Sequence, residues 1–293
     1  MMNTNALTVS GLTKKYKAFT LSDLSFEVPR GTIVGLIGEN GAGKSTTLSS
    51  VLGLIHKDQG EISVLGSPVE ELQPEVREKI GVVFDGTNFS EELTPQKLNK
   101  VLKGIYNSWD EEYFFALLEK LSLPAAKKIK SFSKGMKAKL SIAAAFAHHP
   151  ELLILDEATS GLDPVVREDI LDMFLDFVQD EEHAVLVSSH ITSDLEKVAD
   201  YIVFIHEGRL IFSKPKDELL ESYGIVKCGA AQFQKIDPKD MIAYRKQDYE
   251  WQVLVADRNS AKKKYPKAMV IPATIDEIML LYVKQFGEMS RGK

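Results

Sequence analysis

The chain has 293 residues, a mass of 32.7 kDa and a formal net charge of -6, from 36 Lys and Arg against 42 Asp and Glu. Apolar residues make up 44% and charged residues 27%, ordinary usage for a soluble globular chain, which excludes disordered, collagen-like and coiled-coil classes. At roughly 150 residues per domain the length fits one large domain, or one domain with an appendage. The acidic balance offers no bulk attraction to DNA or RNA.

The single cysteine, Cys228, has no partner for an intramolecular disulfide, and a reducing compartment is expected. Residues 1–13 lack the basic start and apolar core of a secretory signal. The longest apolar runs, 142–147 and 152–155, are far short of the ~20 residues that span a bilayer. The chain is therefore expected not to cross a membrane, although it can dock onto a protein that does.

In chain order, Leu7-Thr8-Val9 and Leu24-Ser25-Phe26-Glu27-Val28 alternate apolar and polar and predict half-buried antiparallel strands. Pro29-Arg30-Gly31 supplies a turn. The nearly continuous apolar run at 33–37 predicts a strand buried on both faces, as in a parallel sheet. A glycine-rich loop follows, then a helix over 44–54. Another buried strand is expected at 80–84. Helix formers with apolar residues at helical spacing predict helices at 96–106, 111–121 and 136–147. Buried strands at 152–155 and 184–188 flank a helix at 165–178. Alternating strands and helices of this kind predict an α/β fold with a mostly parallel sheet, into which residues 86–150 insert as a helical block.

The tail from 213 to 293 differs in composition from residues 1–212, and the domain boundary is placed between them. It contains Lys262-Lys263-Lys264 and a last helix opened by Thr274-Ile275-Asp276-Glu277, a capping-box pattern. Ile275, Ile278, Met279 and Tyr282 are expected on one face of that helix. The lysine run reads as a solvated loop, since lipid-binding patches usually cluster about 4–8 basic residues.

Gly38-Glu39-Asn40-Gly41-Ala42-Gly43-Lys44-Ser45 matches G-x-x-x-x-G-K-[ST] at every fixed position. It lies after an apolar strand and before a helix, as the mechanism requires. Glycines let successive N–H groups face one point, and the helix N-terminus adds a positive dipole there. Lys44 would bridge the β- and γ-phosphates, and the Ser45 hydroxyl would ligate Mg²⁺. Leu152-Leu153-Ile154-Leu155-Asp156-Glu157 is a strand ending in two acids. Asp156 is placed to hold Mg²⁺ at the sheet edge. Glu157 projects differently and is placed to orient or deprotonate an attacking water.

At this point the chain resembles the nucleotide-binding subunits of ABC transporters over residues 7–212. Phe132-Ser133-Lys134-Gly135-Met136, opening an Ala-rich helix, looks like the ABC signature L-S-G-G-Q. Ser133 and Gly135 match; Phe132, Lys134 and Met136 depart. Ser160-Gly161-Leu162-Asp163 resembles the D-loop, and His190 stands where the family has its switch histidine. Tyr16 resembles the aromatic that stacks on adenine, and residues 60–66 the strand-turn that follows the first helix. Asp85 is the clearest departure: the family usually has Gln there. Asp can ligate Mg²⁺ but is shorter and charged, which predicts slow or Mg²⁺-sensitive hydrolysis. It resembles a variant of one bacterial branch with exporter-type permeases; the alternative is a side chain turned to solvent.

The resemblance implies a P-loop NTPase-type mostly parallel sheet with an antiparallel N-terminal β subdomain, an inserted helical subdomain and a small C-terminal α+β appendage. It implies ATP and Mg²⁺ as cofactors. ATP would be held by Tyr16, Gly38, Asn40, Gly41, Gly43, Lys44, Ser45 and Thr46 of one chain and by Ser133, Gly135 and Asp163 of a partner. Mg²⁺ would be held by Ser45, Asp156 and Asp85, with catalysis by Lys44, Asp85, Glu157 and His190. The implied partners are a transmembrane permease and a second ATP-binding subunit, identical or related, with no nucleic acid. The implied location is cytoplasmic, peripheral on the inner face of the cell membrane, and the implied activity is ATP hydrolysis driving export. The appendage reads as a packing element or as a regulatory, ligand-sensing module.

Two other classes remain at this level. One is a soluble ABC ATPase acting on ribosomes or nucleic acid. Translation-type members usually carry two cassettes in a chain, and DNA-repair members insert long coiled coils; the interval from Lys44 to Phe132 is too short for one. The other is a non-hydrolysing module that uses ATP to switch a partner. Lys44, Asp156, Glu157 and His190 weigh against it, while Asp85 and Lys134 keep it open.

Overall fold

The apolar runs of the first two-thirds of the chain become neighbours in one sheet. The computed structural model describes residues 5–84 and 89–291, with side chains through Lys284, and divides into two compact units, Met1–Ser213 and Lys214–Lys293. The first unit begins with β1 (Asn5–Lys15), β2 (Thr20–Pro29), β3 (Thr32–Ile37), α1 (Lys44–Val51), β4 (Gln59–Val64), β5 (Ser67–Pro68), α2 (Pro74–Arg77) and β6 (Ile80–Val83). The helical block follows as α3 (Pro95–Lys103), α4 (Glu111–Lys120) and α5 (Lys134–Phe146). The chain then returns to the sheet through β7 (Leu152–Asp156), α6 (Pro164–Phe177), β8 (Ala184–Ser188), α7 (Thr192–Val198), β9 (Tyr201–His206) and β10 (Arg209–Pro215).

The strand order is β5-β4-β1-β2-β10-β9-β3-β8-β7-β6. Strands β9, β3, β8, β7 and β6 run parallel. Every residue of β7 and β8 is buried, the pattern of parallel strands covered on both faces. Strands β1, β2, β4 and β5 pair antiparallel, and β2 alternates buried with exposed residues, as one wet face requires. A continuous core from Leu7, Leu24 and Val64 through Leu48 to Ile154 and Leu186 joins the two parts.

Side-chain caps set the starts of the inserted helices. Thr94 Oγ1 accepts from Lys97 N at 3.3 Å, Asp110 Oδ1 from Tyr113 N at 2.8 Å, and Ser133 Oγ from Met136 N at 3.2 Å. Pro95 occupies the first turn of α3, where its missing N–H costs nothing. These caps start α3 and α5 one and two residues earlier than periodicity alone predicts. At the other end α1 stops at Val51, not at 54, because Gly53 adopts φ 66° and leaves Leu54 exposed.

The second unit contains α8 (Lys216–Ser222), β11 (Gly224–Cys228), α9 (Ala230–Phe233), β12 (Ala243–Gln247), β13 (Glu250–Val255), α10 (Arg258–Lys264), β14 (Met269–Pro272) and α11 (Ile275–Arg291). Strand order β12-β13-β11-β14, all pairs antiparallel, makes β11 to β14 a split βαβ arrangement. One sheet face packs Val226, Val253 and Val255 against Ile236 and Ala261. Helix α11 packs against β12 and β13. Its capping box forms: Thr274 N donates to Glu277 Oε2 at 3.0 Å, and Glu277 N to Thr274 Oγ1 at 3.2 Å. Among its described side chains, Ile275, Ile278 and Leu281 are buried, with Met279 and Tyr282 half-buried. Leu281 joins the expected face because burial follows the i, i+3 ridge. The lysine run lies in the last turn of α10 and not in a loop. There Lys264 reaches Asp237 at 3.1 Å and Asp240 at 2.8 Å, and the cations face the negative end of the helix dipole.

In the helical block, His148 is buried, its Nδ1 lies 2.9 Å from Glu78 O, and its ring stacks on Tyr106 at 4.2 Å. Burial holds this imidazole below the ordinary 6.5. The unfolded chain therefore binds the proton first, so stability present above pH 6.5 declines as pH falls from there through the lower folded pKa. Urea midpoints measured between about pH 7.5 and about pH 5.5 are expected to fall, and His148→Gln, which keeps a donor toward Glu78 O, to flatten that slope.

Candidate active site

The loop from Gly38 to Ser45 leaves β3 at its carboxyl end and enters α1. Gly38 sits where a Cβ would lie 2.3 Å from Ile205 O, so only glycine lets the loop pass β9. Gly41 has open space around it but φ 82°, a conformation that favours glycine. Lys44 is only 6% exposed. Its ammonium donates to Gly38 O at 2.8 Å and Glu39 O at 3.4 Å, and lies 3.8 Å from Glu157 Oε1. A buried cation is stable only with such partners.

Strand β7 delivers the two acids. Asp156 Oδ2 accepts from Ser45 Oγ at 2.9 Å, and Oδ1 from Ser188 Oγ at 2.5 Å. Glu157 adopts φ 52°, a strained region for a residue with a side chain and one that clusters at functional sites. Its N–H donates to Ser188 O at 3.1 Å and Ser188 Oγ at 3.2 Å. Its Oε2 lies 2.5 Å from His190 Nδ1, with His190 N donating to the same oxygen at 3.4 Å. The register Asp156↔Ser188 and Leu36↔Ser188 brings phosphate loop, acids and histidine to adjacent strand ends.

These residues line a cleft of about 510 Å³. Asn40, Gly41, Gly43, Lys44, Ser45, Thr46, Asp156 and Glu157 contribute to it, together with Glu39 and Phe19. Gly38 and His190 are not among the lining residues, but Gly38 O accepts from Lys44 and His190 contacts Glu157. Tyr16 is not among the lining residues: it is 47% exposed, with the Lys14 ammonium 5.6 Å from its ring centre. Phe19, at the other end of the same turn (Tyr16 N donates to Phe19 O at 2.8 Å), forms that wall. A Cβ on Gly43 would stand 3.0 Å from Phe19 Cζ.

Ser133, Gly135 and Asp163 lie apart from the cleft as a second group. Ser133 caps α5, and Asp163 caps α6 through Val166 N at 3.1 Å. A Cβ on Gly135 would lie 3.5 Å from Gly161 O, so the signature-like segment and the D-loop-like segment share one patch. Asp85 lies outside the described residues. Phe19 and Ser188 are among the site residues that sequence reading passes over. An aromatic three residues after Tyr16 was the available signal for the first. A hydroxyl closing the buried strand that leads to His190 was the signal for the second.

A family model described as ABC transporter matches residues 21–160. Over 71% of its length the chain is 37% identical to the bacitracin transport ATP-binding protein BcrA of Bacillus licheniformis, covering 69% of that protein. The chain belongs to the ATP-binding subunits of ABC transporters. It is also 29% identical to the ABC transporter ATP-binding protein YtrB of Bacillus subtilis, across 92% of this chain and 94% of YtrB. A solved structure of the ATP-binding subunit of an ABC transporter superposes with a TM-score of 0.69 at 31% identity, over 74% of this chain and 92% of that one. The sheet, with its inserted helical block and antiparallel N-terminal part, is the ABC ATPase fold. The subunit is an ATPase that binds ATP. Among the described residues no helix is long and apolar enough to cross a membrane.

The phosphate loop of this ABC ATPase yields a contrast. Gly38→Ala is expected to abolish ATP binding, because its methyl group would overlap a main-chain carbonyl. Gly41→Ala is expected to cost about 1–2 kcal/mol of conformational energy and to retain binding. Equilibrium ATP titration and thermal melting of both variants check this.

Proposed function

We propose that this subunit works as half of an ATP-closed dimer, identical or mixed, on the cytoplasmic face of a membrane, where it drives export through a separate permease. The observation that carries the reading is the division of the motifs. One chain holds the cleft residues around Lys44, and a separate patch holds Ser133, Gly135 and Asp163. A nucleotide needing both groups draws the second from another chain. The N-terminal turn of α5, capped by Ser133, is the part offered to the γ-phosphate there. The Nod factor export ATP-binding protein I of Burkholderia lata, 34% identical over 74% of this chain and 72% of that protein, supports export as the direction.

Lys44 holds the β- and γ-phosphates and spreads the charge that develops between them. Glu157 orients and deprotonates the attacking water. His190, in contact with Glu157, fixes that carboxylate and reaches the γ-phosphate. Tyr16 remains the proposed adenine partner, with Phe19 as the wall beside the phosphate loop. The donor set fits Mg²⁺: Ser45 and Asp156 put a hydroxyl and a carboxylate 2.9 Å apart. Among the described residues no group of three or more His, Cys, Asp or Glu could cage a metal. Mg²⁺ suits such a sparse oxygen set, completing its shell with water and phosphate, and when bound it neutralises charge on the phosphates. Asp85 is proposed as a further ligand, at the cost of slower turnover.

The helical block is proposed to meet the permease. An apolar groove of about 130 Å³ lined by Phe84, Phe89, Leu102, Tyr106, Ala144 and His148 supports this, as do Val101 and Ile105, 47% and 60% exposed one turn apart at the α3 end. The two readings of the second unit, packing element or sensor, both stand.

Glu157→Gln is expected to lower turnover by about 10²–10⁴ and to accumulate an ATP-bound dimer in size-exclusion chromatography with light scattering. A variant that stays monomeric with ATP beside its permease overturns the dimer reading. Ile105→Glu is expected to remove about 2 kcal/mol of interface burial, roughly thirtyfold in permease affinity, while ATP binding by the isolated subunit is unchanged. Co-purification with a co-expressed permease measures that loss.

A further inference from the structure

We propose that Asp194 is a positioning residue that ties the D-loop to the switch histidine and so sets the Glu157–His190 contact. The inference rests on the roles proposed above for that pair. Asp194 stands on α7, four residues after His190, and is 3% exposed; Thr159, two residues after Glu157, is 2% exposed. Thr159 Oγ1 donates to Asp194 Oδ2 at 3.0 Å. The two loops that carry the Glu157–His190 contact are thus joined a second time behind it, by a hydrogen bond out of water. Buried links of this kind hold geometry because breaking one strands a polar group.

A third residue extends the link to the D-loop. Arg167, on the first turns of α6, donates from one terminal nitrogen to Leu162 O at 3.1 Å. Its Nε is buried without a hydrogen-bond partner among the described residues and stands 3.8 Å from Asp194 Oδ2. That separation is within ion-pair range and beyond hydrogen-bond range. A shift of less than an ångström in the D-loop, which Leu162 and Asp163 belong to, would close or open it. The carboxylate therefore faces Thr159 from the β7–α6 loop and Arg167 from α6. On its own helix, Asp194 N donates to Ile191 O. The neighbouring Glu168–Lys197 ion pair also joins α6 to α7, but both its members are half-exposed, where such pairs hold little. Displacement of the D-loop by a second subunit is in this way transmitted through Arg167, Asp194 and Thr159 to the acid and the histidine that act on water.

The test compares full-length Asp194→Asn, Thr159→Val and Thr159→Ser with the wild type in steady-state ATP hydrolysis. Asn keeps the shape and an acceptor for Thr159 but removes the charge facing Arg167. Val removes the hydroxyl isosterically; Ser restores it. Asp194→Asn and Thr159→Val are each expected to lower kcat about tenfold with KM for ATP within about twofold, and the double variant to be no slower than the worse single one. Thr159→Ser is expected to match the wild type. A purely structural role would lower the melting temperature and the amount of active protein, leaving kcat per ATP-binding site unchanged. That result, or an Asp194→Asn kcat at wild-type level, overturns the inference alone. A Glu157→Gln control that keeps wild-type turnover overturns instead the catalytic assignment on which it rests.

Discussion

The site depends on the register of three parallel strands. β3, β8 and β7 lie side by side so that Leu36, Ser188 and Asp156 align at their carboxyl ends. Three consecutive chain reversals therefore start from one line: the phosphate loop, the acid pair and the histidine turn. A slip of one residue in β8 would turn Ser188 to the other face and break its bonds to Asp156 and to Glu157 N. Ligand sites in open α/β sheets form outside strand carboxyl ends for this reason. The complete burial of β7 and β8 makes the register expensive to change.

Around that line, charge is held by geometry more than by exposure to water. Lys44 is enclosed by two main-chain carbonyls and Glu157, and Asp156 by two hydroxyls. Such groups cannot wander, so an incoming phosphate meets donors already aimed. The left-handed backbone at Glu157 and the crowding at Gly38 are local costs that the surrounding sheet sustains. Behind the cleft, Thr159, Asp194 and Arg167 repeat the principle, with one buried nitrogen held just out of hydrogen-bonding range.

The second unit is built on different terms. Its four antiparallel strands carry helices α9 and α10 above one core of Val226, Val253 and Ala261, and α11 brings Ile275 and Ile278 to the sheet. Packing on both sheet faces explains why a segment of such mixed sequence forms a stable body. Its polar cluster of Asp237, Asp240, Lys264 and Tyr265 is internally satisfied.

Much of this protein was legible in the amino-acid order. The buried strands, the phosphate loop, the acid pair and the signature-like and D-loop-like segments are local patterns, written in consecutive residues with fixed spacing. Helix ends were less legible, because α1, α3 and α5 are bounded by a left-handed glycine and by side-chain caps whose bonds depend on loop geometry. What consecutive residues could not carry was the proximity of distant ones. The place of Phe19 in the cleft wall follows from how a turn folds over Gly43. Ser188 between Asp156 and Glu157, and Asp194 behind them, follow from a strand order that sequence does not encode locally. The sequence alone determined which chemistry the chain holds. The tertiary structure alone decided which side chains share it, because contacts across parallel strands depend on register and packing among segments far apart in the chain.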